Sequence, residues 1–215
     1  MVFLNTPMRF VTISDTHCRH QNLKLPKGDV LLHAGDVTYR GEKNEVIDFL
    51  CWFSKLPFKH KIFIAGNHDF YFEKEPKKKV DSIIPSGVTY LADSGVIIGD
   101  IKIWGSPVTP WFFNWAFNRK RGAPIKKHWE MIPPQTDIVM THGPAYGIHD
   151  TVINERHVGC QDLLHTLQLI KPKVHVCGHI HEATGDIKRG GIRYINASVL
   201  NERYEIVYKP VVFDL

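Results

Sequence analysis

The sequence predicts an α/β sandwich in a single domain, with β-strands in the middle and helices outside. Short runs rich in Val and Ile recur along the chain, and each closes on Gly, Asp, Asn or His, which is typical of buried strands. Amphipathic helical stretches lie between some of these runs, so that strand and helix alternate. A second set of strand-like segments with tight turns indicates a second sheet.

The predicted strands fall into two groups. The first group comprises the runs at residues 8–14, 29–34, 61–65, 137–141 and 173–177. The second group comprises the segments at residues 87–91, 96–98, 101–105, 192–197 and 205–207. The turn at Gly99-Asp100 predicts a hairpin between two segments of the second group.

Two helices are predicted from apolar stripes at helical spacing. Residues 44–56 and 159–170 each present one apolar face, formed by Val46, Ile47, Leu50 and Phe53 in the first helix and by Leu163, Leu164, Leu167 and Ile170 in the second. Two further segments differ in composition: residues 73–80 form a charged surface stretch, and residues 107–122 form a long loop rich in aromatic and basic residues.

Composition indicates an ordinary globular domain spanning residues 1–215. Of the 215 residues, 43% are hydrophobic and 23% are charged, and the net charge of +5 suits anionic ligands without requiring nucleic acid. No apolar run approaches the ~18 residues of a membrane-spanning helix, and the first residues lack a signal-peptide pattern. The four cysteines form no C-x-x-C pair and are interpreted as reduced thiols. We therefore expect a cytoplasmic protein without a membrane partner.

Several large enzyme classes are excluded by missing motifs. No cysteine is followed six positions later by Arg, which removes the cysteine phosphatase signature, and the sequence has no G-x-x-x-x-G-K-[ST], G-x-S-x-G or H-E-x-x-H.

Residue types that bind metals follow every strand of the first group. In chain order these are Asp15 and His17; Asp36; Asn67, His68 and Asp69; His142; and His179 and His181. In open α/β sheets ligands bind at the carboxyl ends of the strands, so residues far apart in sequence can meet in one pocket. Each of these five motifs alone is typical of an ordinary turn, but the five in this order predict a single site.

The residue types predict a particular metal chemistry. Carboxylate, imidazole and one amide oxygen, without thiolate, suit two divalent ions of the Mn, Fe or Zn kind rather than a closed structural zinc site. Two such ions repel each other strongly at ~3.5 to 4 Å, so a shared carboxylate is expected between them.

The motifs D-x-H, G-D, G-N-H-D, H and G-H-x-H, in this order, resemble the calcineurin-like metallophosphoesterase superfamily over nearly the whole chain. The stretches SDTH, THGPAYG, VGCQDLL, RYINAS and KPVVFDL are similar to its small single-domain, metallophosphoesterase-domain-containing branch, which is class III phosphodiesterase-like and acts on nucleotide-type substrates. The resemblance implies a four-layer αββα sandwich, in which two central mixed β-sheets are flanked by helices.

The resemblance also implies roles for the site residues. Asp15, His17, Asp36 and His181 would hold one divalent ion, and Asp36, Asn67, His142 and His179 the other, with Mn²⁺ or Fe as the expected metals and Zn²⁺, Co²⁺ or Ni²⁺ as alternatives. A metal-bridging hydroxide would attack phosphorus in line. His68 would stabilise the developing charge or protonate the leaving alkoxide, and Asp69, where the family commonly has Glu, would hold the His68 ring.

Substrate contacts are expected from two loops beside the site. Trp111, Phe112 and Trp115 could stack on a nucleobase and Asn118 could read its edge, although packing beneath the loop is an alternative for each aromatic residue. Tyr146 and His149, close after His142, form the second candidate group.

The leading functional hypothesis is a dinuclear metal-dependent phosphodiesterase for small nucleotides, such as cyclic nucleotides. A nuclease is an alternative, because basic residues cluster at 77–79 and 119–121. A phosphomonoesterase or protein phosphatase, with the same metal chemistry, and a metal- or nucleotide-binding regulator are the remaining hypotheses.

Overall fold

The computed structural model describes residues 7–215. The strands are β1 (Arg9–Ile13), β2 (Val30–Ala34), β3 (His60–Ile64), β4 (Val88–Leu91), β5 (Ser94–Ile98), β6 (Ile101–Ser106), β7 (Thr109–Pro110), β8 (Asn118–Arg119), β9 (Ile138–Thr141), β10 (Val174–Cys177), β11 (Gly185–Arg189), β12 (Ile192–Asn196) and β13 (Val211–Asp214). The helices are α1 (Lys43–Lys55), α2 (Phe70–Lys74), α3 (Lys77–Ile83), α4 (Ala123–Trp129) and α5 (Gln161–Ile170). Within residues 7–215, no helix is long and apolar enough to cross a membrane.

Two mixed sheets lie at the centre. One has the strand order β13-β1-β2-β3-β4, and the other has the order β11-β12-β10-β9-β6-β5. Strands β1 to β4 are parallel and β13 runs antiparallel to β1, whereas β6, β9, β10 and β12 are parallel and are flanked by the antiparallel β5 and β11. The predicted αββα sandwich is confirmed.

Three apolar clusters fill the spaces between the four layers. Side chains of β2, β3, β9 and β10 pack between the sheets, with Leu32, Ile62, Met140 and Val176 almost fully buried. A second cluster packs the first sheet against α1, α2 and α3, and a third packs the second sheet against α4 and α5. Burial of these faces holds both sheets in a fixed relation, so that their strand ends meet along one edge.

The five strands of the first predicted group are present as β1, β2, β3, β9 and β10, and both predicted helices are present. Three details differ from prediction. Residues 205–207 form no strand, since Ile206 makes only an isolated bridge to Leu200. The two predicted groups do not correspond to the two sheets, because β9 and β10 of the first group lie in the second sheet and β4 of the second group lies in the first. On α1, Ile47 is exposed, and Phe49 takes its place in the core.

Two buried histidines should make the fold sensitive to acid. Burial lowers the pKa of His33 in β2 and of His175 in β10 from 6.5 to about 3. Between these values the unfolded chain binds more protons than the folded chain, so stability falls as the pH falls below 6.5. We expect a loss of about 1.4 kcal/mol per pH unit for each histidine.

Urea unfolding with chelator present, at about pH 7, 5.5 and 4.5, measures this loss. His33→Gln retains a hydrogen-bonding side chain beside Thr16 Oγ1, which lies 2.9 Å from His33 Nε2, but it cannot titrate. As the pH falls, the free energy of unfolding should decrease less in the variant than in the wild type. The two slopes should differ by about 1.4 kcal/mol per pH unit. The exposed His165→Gln should keep the wild-type slope, and equal slopes in all three proteins would contradict the prediction.

Candidate metal centre

The loops after β1 and β2 are held together by their backbones. Asp15 N donates to Gly35 O at 2.9 Å, and His17 N donates to Asp36 O at 3.1 Å. The two strands are parallel neighbours, and these hydrogen bonds continue their pairing past the strand ends. As a result, Asp15 and His17 lie beside Asp36.

Five non-glycine residues in the loops after β1, β2 and β10 have left-handed backbone conformations. They are Asp15 (φ 56°), His17 (39°), Cys18 (63°), Asp36 (55°) and His179 (71°). Such conformations cost energy for residues with a Cβ and persist only where the surroundings enforce them. Their concentration at one edge marks a functional site.

Two glycines allow the side chains to come together. A Cβ at Gly66 would collide with Asp36 Oδ1, and one at Gly178 would collide with Ser14 Oγ and Asp15 Oδ2. The glycines after β3 and β10 therefore leave the space that the two carboxylates occupy.

Asp36 stands at the middle of the site and is 2% exposed. Its Oδ2 lies 3.6 Å from His17 Nε2 and 3.3 Å from His142 Nε2. Its Oδ1 accepts a hydrogen bond from His68 N at 2.8 Å. One carboxylate therefore faces histidines from both sheets.

Two metal-sized clusters share this centre. Asp15, His17 and His181 form one, and Asp36, His142 and His179 form the other, with the ligand atoms of each cluster within 4.8 Å of one another. A third combination, of His17, Asp36 and His68, bridges them. The side-chain oxygen of Asn67 lies 3.0 Å from His142 Nε2 and adds an amide oxygen, a further possible metal ligand, to the second cluster.

The histidine rings are oriented by backbone carbonyls. The Nδ1 atoms of His17, His142 and His181 lie 3.1, 2.9 and 3.0 Å from carbonyl oxygens of Thr38, Ala34 and Asn201, which fixes Nδ1 as the protonated nitrogen of each neutral ring. In all three rings Nε2 is left available for a metal ion and faces the carboxylates.

These residues fit divalent ions. His17 Nε2 is buried without a hydrogen-bond partner among the described residues, and burial lowers the pKa of His17 to about 4, so its ring is neutral at neutral pH. A buried, unpartnered nitrogen facing two carboxylates is costly unless it binds a cation. Carboxylate, imidazole and amide donors suit Mn²⁺, Fe or Zn²⁺.

The carboxylates raise the pKa values of two histidines that face them. Burial disfavours a charged ring at His142, but the Asp36 carboxylate outweighs burial and raises the pKa of His142 to about 9. Burial is likewise outweighed at His181, where the hydrogen bond and charge of Asp15 raise the pKa to about 9. Although burial opposes it, the neighbouring histidines hold the pKa values of Asp15 and Asp36 well below the usual range. Divalent ions compete with the protons on these rings.

His68 lies at the mouth of the site, where its ring is held on two sides. Its Nδ1 is 2.8 Å from Tyr39 O, and its ring centroid is 4.4 Å from that of Trp115. Its backbone N bonds to Asp36, so the ring is fixed relative to both clusters.

Asp69 does not hold the His68 ring, which corrects the role expected from the sequence. Its fully buried carboxylate accepts hydrogen bonds from Val37 N at 3.1 Å, Thr38 N at 2.8 Å, Thr38 Oγ1 at 2.6 Å and Gly66 N at 2.7 Å. The side chain points back into the fold, because the loop after β3 packs on the loop after β2. Asp69 therefore joins these two loops, and the Tyr39 carbonyl holds His68.

Residues 8–183, which carry all these groups, match the profile of the calcineurin-like phosphoesterases. The chain belongs to the calcineurin-like phosphoesterase family. Membership makes this phosphoesterase a hydrolase of phosphoric esters that depends on divalent metals, and it confirms the resemblance in the sequence motifs.

Relatives cover nearly the whole phosphoesterase chain. Metallophosphoesterase domain-containing protein 1 from Homo sapiens is 41% identical over 231 residues, which cover 96% of this chain and 71% of that protein. A UPF0046 protein from Caenorhabditis elegans is 35% identical over 218 residues, covering 96% and 74%. The crystal structure of phosphopantetheinyl hydrolase from Mycobacterium tuberculosis shares the fold, with a TM-score of 0.64, 15% identity, and coverage of 91% and 90%.

An open cleft of about 330 Å³ leads to the metal clusters of the phosphoesterase. Its walls include the rings of Phe112, Trp115 and Tyr204, together with Ile153, Glu182 and Glu202. The Phe112 ring centroid lies 5.1 Å from that of His179, so this aromatic residue contacts the second cluster.

Four residues expected to bind substrate do not line this cleft. Trp111 is more than half exposed to solvent beside it, and Asn118 binds Phe112 O and the Thr109 hydroxyl, which shapes the loop. Tyr146 lines a separate cavity against α5, and the Nε2 atom of His149 lies 3.2 Å from Tyr194 O. The loop after His142 turns away from the cleft towards the second sheet, so these two residues lie behind the site.

Tyr204 and Glu202 are cleft residues that the sequence did not indicate. They lie beyond β12, which runs parallel to β10 and so ends at the same edge of the sheet. Because ligands bind at the carboxyl ends of strands and residues 192–197 are a predicted strand, the segment after them was a possible part of the site. No metal-ligand residue follows that strand directly, so the segment lacks the signal that marks the ends of the first group of strands.

Proposed function

We propose that the protein is a dinuclear metal-dependent phosphodiesterase that hydrolyses small nucleotides, such as cyclic nucleotides. One observation carries the proposal: two Asp and His clusters, with Asp36 Oδ2 close to a histidine of each, lie at the floor of a small cleft walled by aromatic rings. A cleft of this size takes a small organic phosphate, and flat apolar walls suit a nucleobase.

The geometry of the two clusters supports the following ligand sets. One ion would be held by Asp15, His17, Asp36 and His181, and the other by Asp36, Asn67, His142 and His179. Both sets lack thiolates, which favours Mn²⁺ or Fe. When bound, the two ions stabilise charge on the phosphoryl oxygens and lower the pKa of the attacking water.

His68 would assist the leaving group. In its protonated form the ring would keep Nδ1–H on Tyr39 O and could donate Nε2–H to the leaving alkoxide. The Trp115 ring, tilted by 30° against the imidazole, limits the orientation of that ring and shields one face of it from water.

The basic clusters at residues 77–79 and 119–121 do not form a free phosphate track. Lys77 pairs with Asp81 at 2.7 Å, Lys79 with Glu75 at 2.8 Å, and Arg119 with Glu73 at 3.1 Å. Arg121 is also engaged, because it donates to two backbone carbonyls. This pairing is why we place a nuclease behind the small-nucleotide phosphodiesterase.

The four cysteines, Cys18, Cys51, Cys160 and Cys177, are free thiols, which supports the proposal that the protein acts in the cytoplasm. Free thiols persist in a reducing compartment.

Hydrolysis of bis-p-nitrophenyl phosphate and p-nitrophenyl phosphate tests the function. Chelator-treated protein should be inactive, and Mn²⁺ should restore turnover dominated by the diester. His179→Ala should abolish the restored turnover, whereas the exposed His165→Ala should not. Dominant monoester turnover would make the protein a phosphatase, and no turnover with any divalent ion would leave a binding protein. Diester turnover would justify a screen of 2′,3′- and 3′,5′-cyclic nucleotides.

Trp115→Ala should lower kcat/KM for the diester about tenfold, because it removes the ring that orients His68 and one wall of the cleft. The matched control is Phe113→Ala in the same loop, since Phe113 is 77% exposed and does not line the cleft. Steady-state kinetics measures both variants. Equal effects of the two substitutions would contradict a specific role for Trp115.

A further inference from the structure

A second cavity, of about 460 Å³, adjoins the metal cleft. It is lined by His17, Cys18, Arg19, Tyr39, Arg203 and Tyr204. His17 and Tyr204 line both cavities, so a molecule bound at the metal clusters could extend past these two rings into the second cavity.

The second cavity is positively charged. Of the residues that the structure describes, Arg19 and Arg203 line it and no carboxylate does. Among residues 7–215, other arginines such as Arg9, Arg119 and Arg193 pair with carboxylates, but the guanidinium groups of Arg19 and Arg203 have no ion-pair partner. Two guanidinium groups facing one cavity favour a phosphate, which they can bind through paired hydrogen bonds.

Both arginines are carried on backbone that is tied to metal-site residues. Arg203 N donates to Asn201 Oδ1 at 2.9 Å, and the carbonyl oxygen of Asn201 contacts both Tyr204 N, at 2.9 Å, and His181 Nδ1, at 3.0 Å. Arg19 N donates to Thr16 O in the loop that carries His17. A phosphate bound between the arginines would therefore lie near the first metal cluster.

Tyr204 is held in an enforced conformation at the junction of the two cavities. Its φ is 60°, which is unfavourable for an aromatic residue and marks positions under functional constraint. Its ring centroid lies 4.9 Å from that of His17 and 5.4 Å from that of Tyr39. The two tyrosine rings give the cavity an apolar wall against which a planar group can pack.

We propose that this second cavity is a subsite for a further phosphate of the substrate, bound by Arg19 and Arg203 beside the rings of Tyr39 and Tyr204. The substrate class is then a nucleotide phosphodiester that carries another phosphate group. This inference rests on the proposed function, because the diester at the metal clusters places the second phosphate in the subsite.

Three dinucleotides that differ only in a terminal phosphate test the proposal: thymidylyl-thymidine, its 5′-phosphorylated form and its 3′-phosphorylated form. At least one phosphorylated form should have kcat/KM about tenfold above that of the unmodified dinucleotide. This ratio should fall to about 1 in the Arg19→Gln/Arg203→Gln variant and recover in part with Lys at both positions. Lys78→Gln/Lys127→Gln, which removes two exposed charges elsewhere, should keep the ratio.

Calorimetry supplies a readout that does not depend on turnover. Thymidine 3′,5′-bisphosphate should bind the metal-loaded protein about tenfold more tightly than thymidine 5′-monophosphate, and the double Gln variant should lose this advantage. The proposal is overturned if neither terminal phosphate raises kcat/KM and the bisphosphate binds no better, or if the advantages survive in the double Gln variant. Failure of the wild type to hydrolyse any diester would instead reject the proposed function, and the calorimetry would still decide the subsite.

Discussion

Asp36→Asn should lower kcat/KM for bis-p-nitrophenyl phosphate on the order of 10³-fold, the largest effect expected of a conservative substitution in this chain. Asp36 Oδ2 faces His17 and His142, one from each cluster, so the substitution removes the negative charge shared by both. The amide oxygen can still accept the hydrogen bond from His68 N, and for that reason the fold should persist.

Metal content and kinetics should change together in this variant. Mass spectrometry of the purified protein should find fewer than two ions per chain, and circular dichroism should be unchanged. The exposed Asp100→Asn is a matched control that removes the same charge from a surface turn. Activity within tenfold of the wild type, with two ions bound, would show that Asp36 does not bridge.

Asp69→Ala should destabilise the fold by about 3 to 5 kcal/mol. The substitution leaves three buried backbone N–H groups without a partner, those of Val37, Thr38 and Gly66, and removes the shorter of the two hydrogen bonds of the Thr38 hydroxyl. The burial of Asp69, and then the nearby charge of Asp36, raise its pKa to about 6, which shows how completely the carboxylate is removed from water. Chemical unfolding measures the loss.

Asp69→Asn separates a structural role from a catalytic one. One amide oxygen can accept some of the four hydrogen bonds, but the amide group must face other donors, so an intermediate loss of stability is expected. If Asp69 instead oriented His68, both variants would alter the pH profile of turnover and leave the free energy of unfolding within about 0.5 kcal/mol of the wild type.

The metal clusters could be predicted from sequence because parallel strands end at the same edge of their sheet whatever the loop lengths between them, and these edges of the two packed sheets lie side by side. Asp15 and His181 follow β1 and β10, and their side chains lie 3.5 Å apart across 166 positions. The roles of side chains within a loop could not be predicted in this way. Asp69 follows His68 directly, yet its carboxylate bonds to the neighbouring loop, since direction depends on how the two loops pack.

Several elements lacked a readable local pattern. Helices α2 and α3 are short and are separated by Pro76, so neither shows a long apolar stripe. Strand β13 lies beside β1, with Phe213 opposite Phe10, and such a pairing across the length of the chain has no local signal. Arg203 and Tyr204 reach the site on an irregular segment, which is why the sequence did not indicate the second cavity.

The left-handed residues around the metal site lower the stability of the fold while they position groups that the proposed activity needs. Each of the five non-glycine residues holds a conformation that costs the folded state on the order of 1 to 3 kcal/mol, and all of them except Cys18 are proposed metal ligands. The natural chain is therefore less stable than its sandwich would allow. Glycine at these positions would relieve backbone strain but remove ligands, so a thermostable and still active variant must gain its stability in the helical layers, away from the catalytic edge.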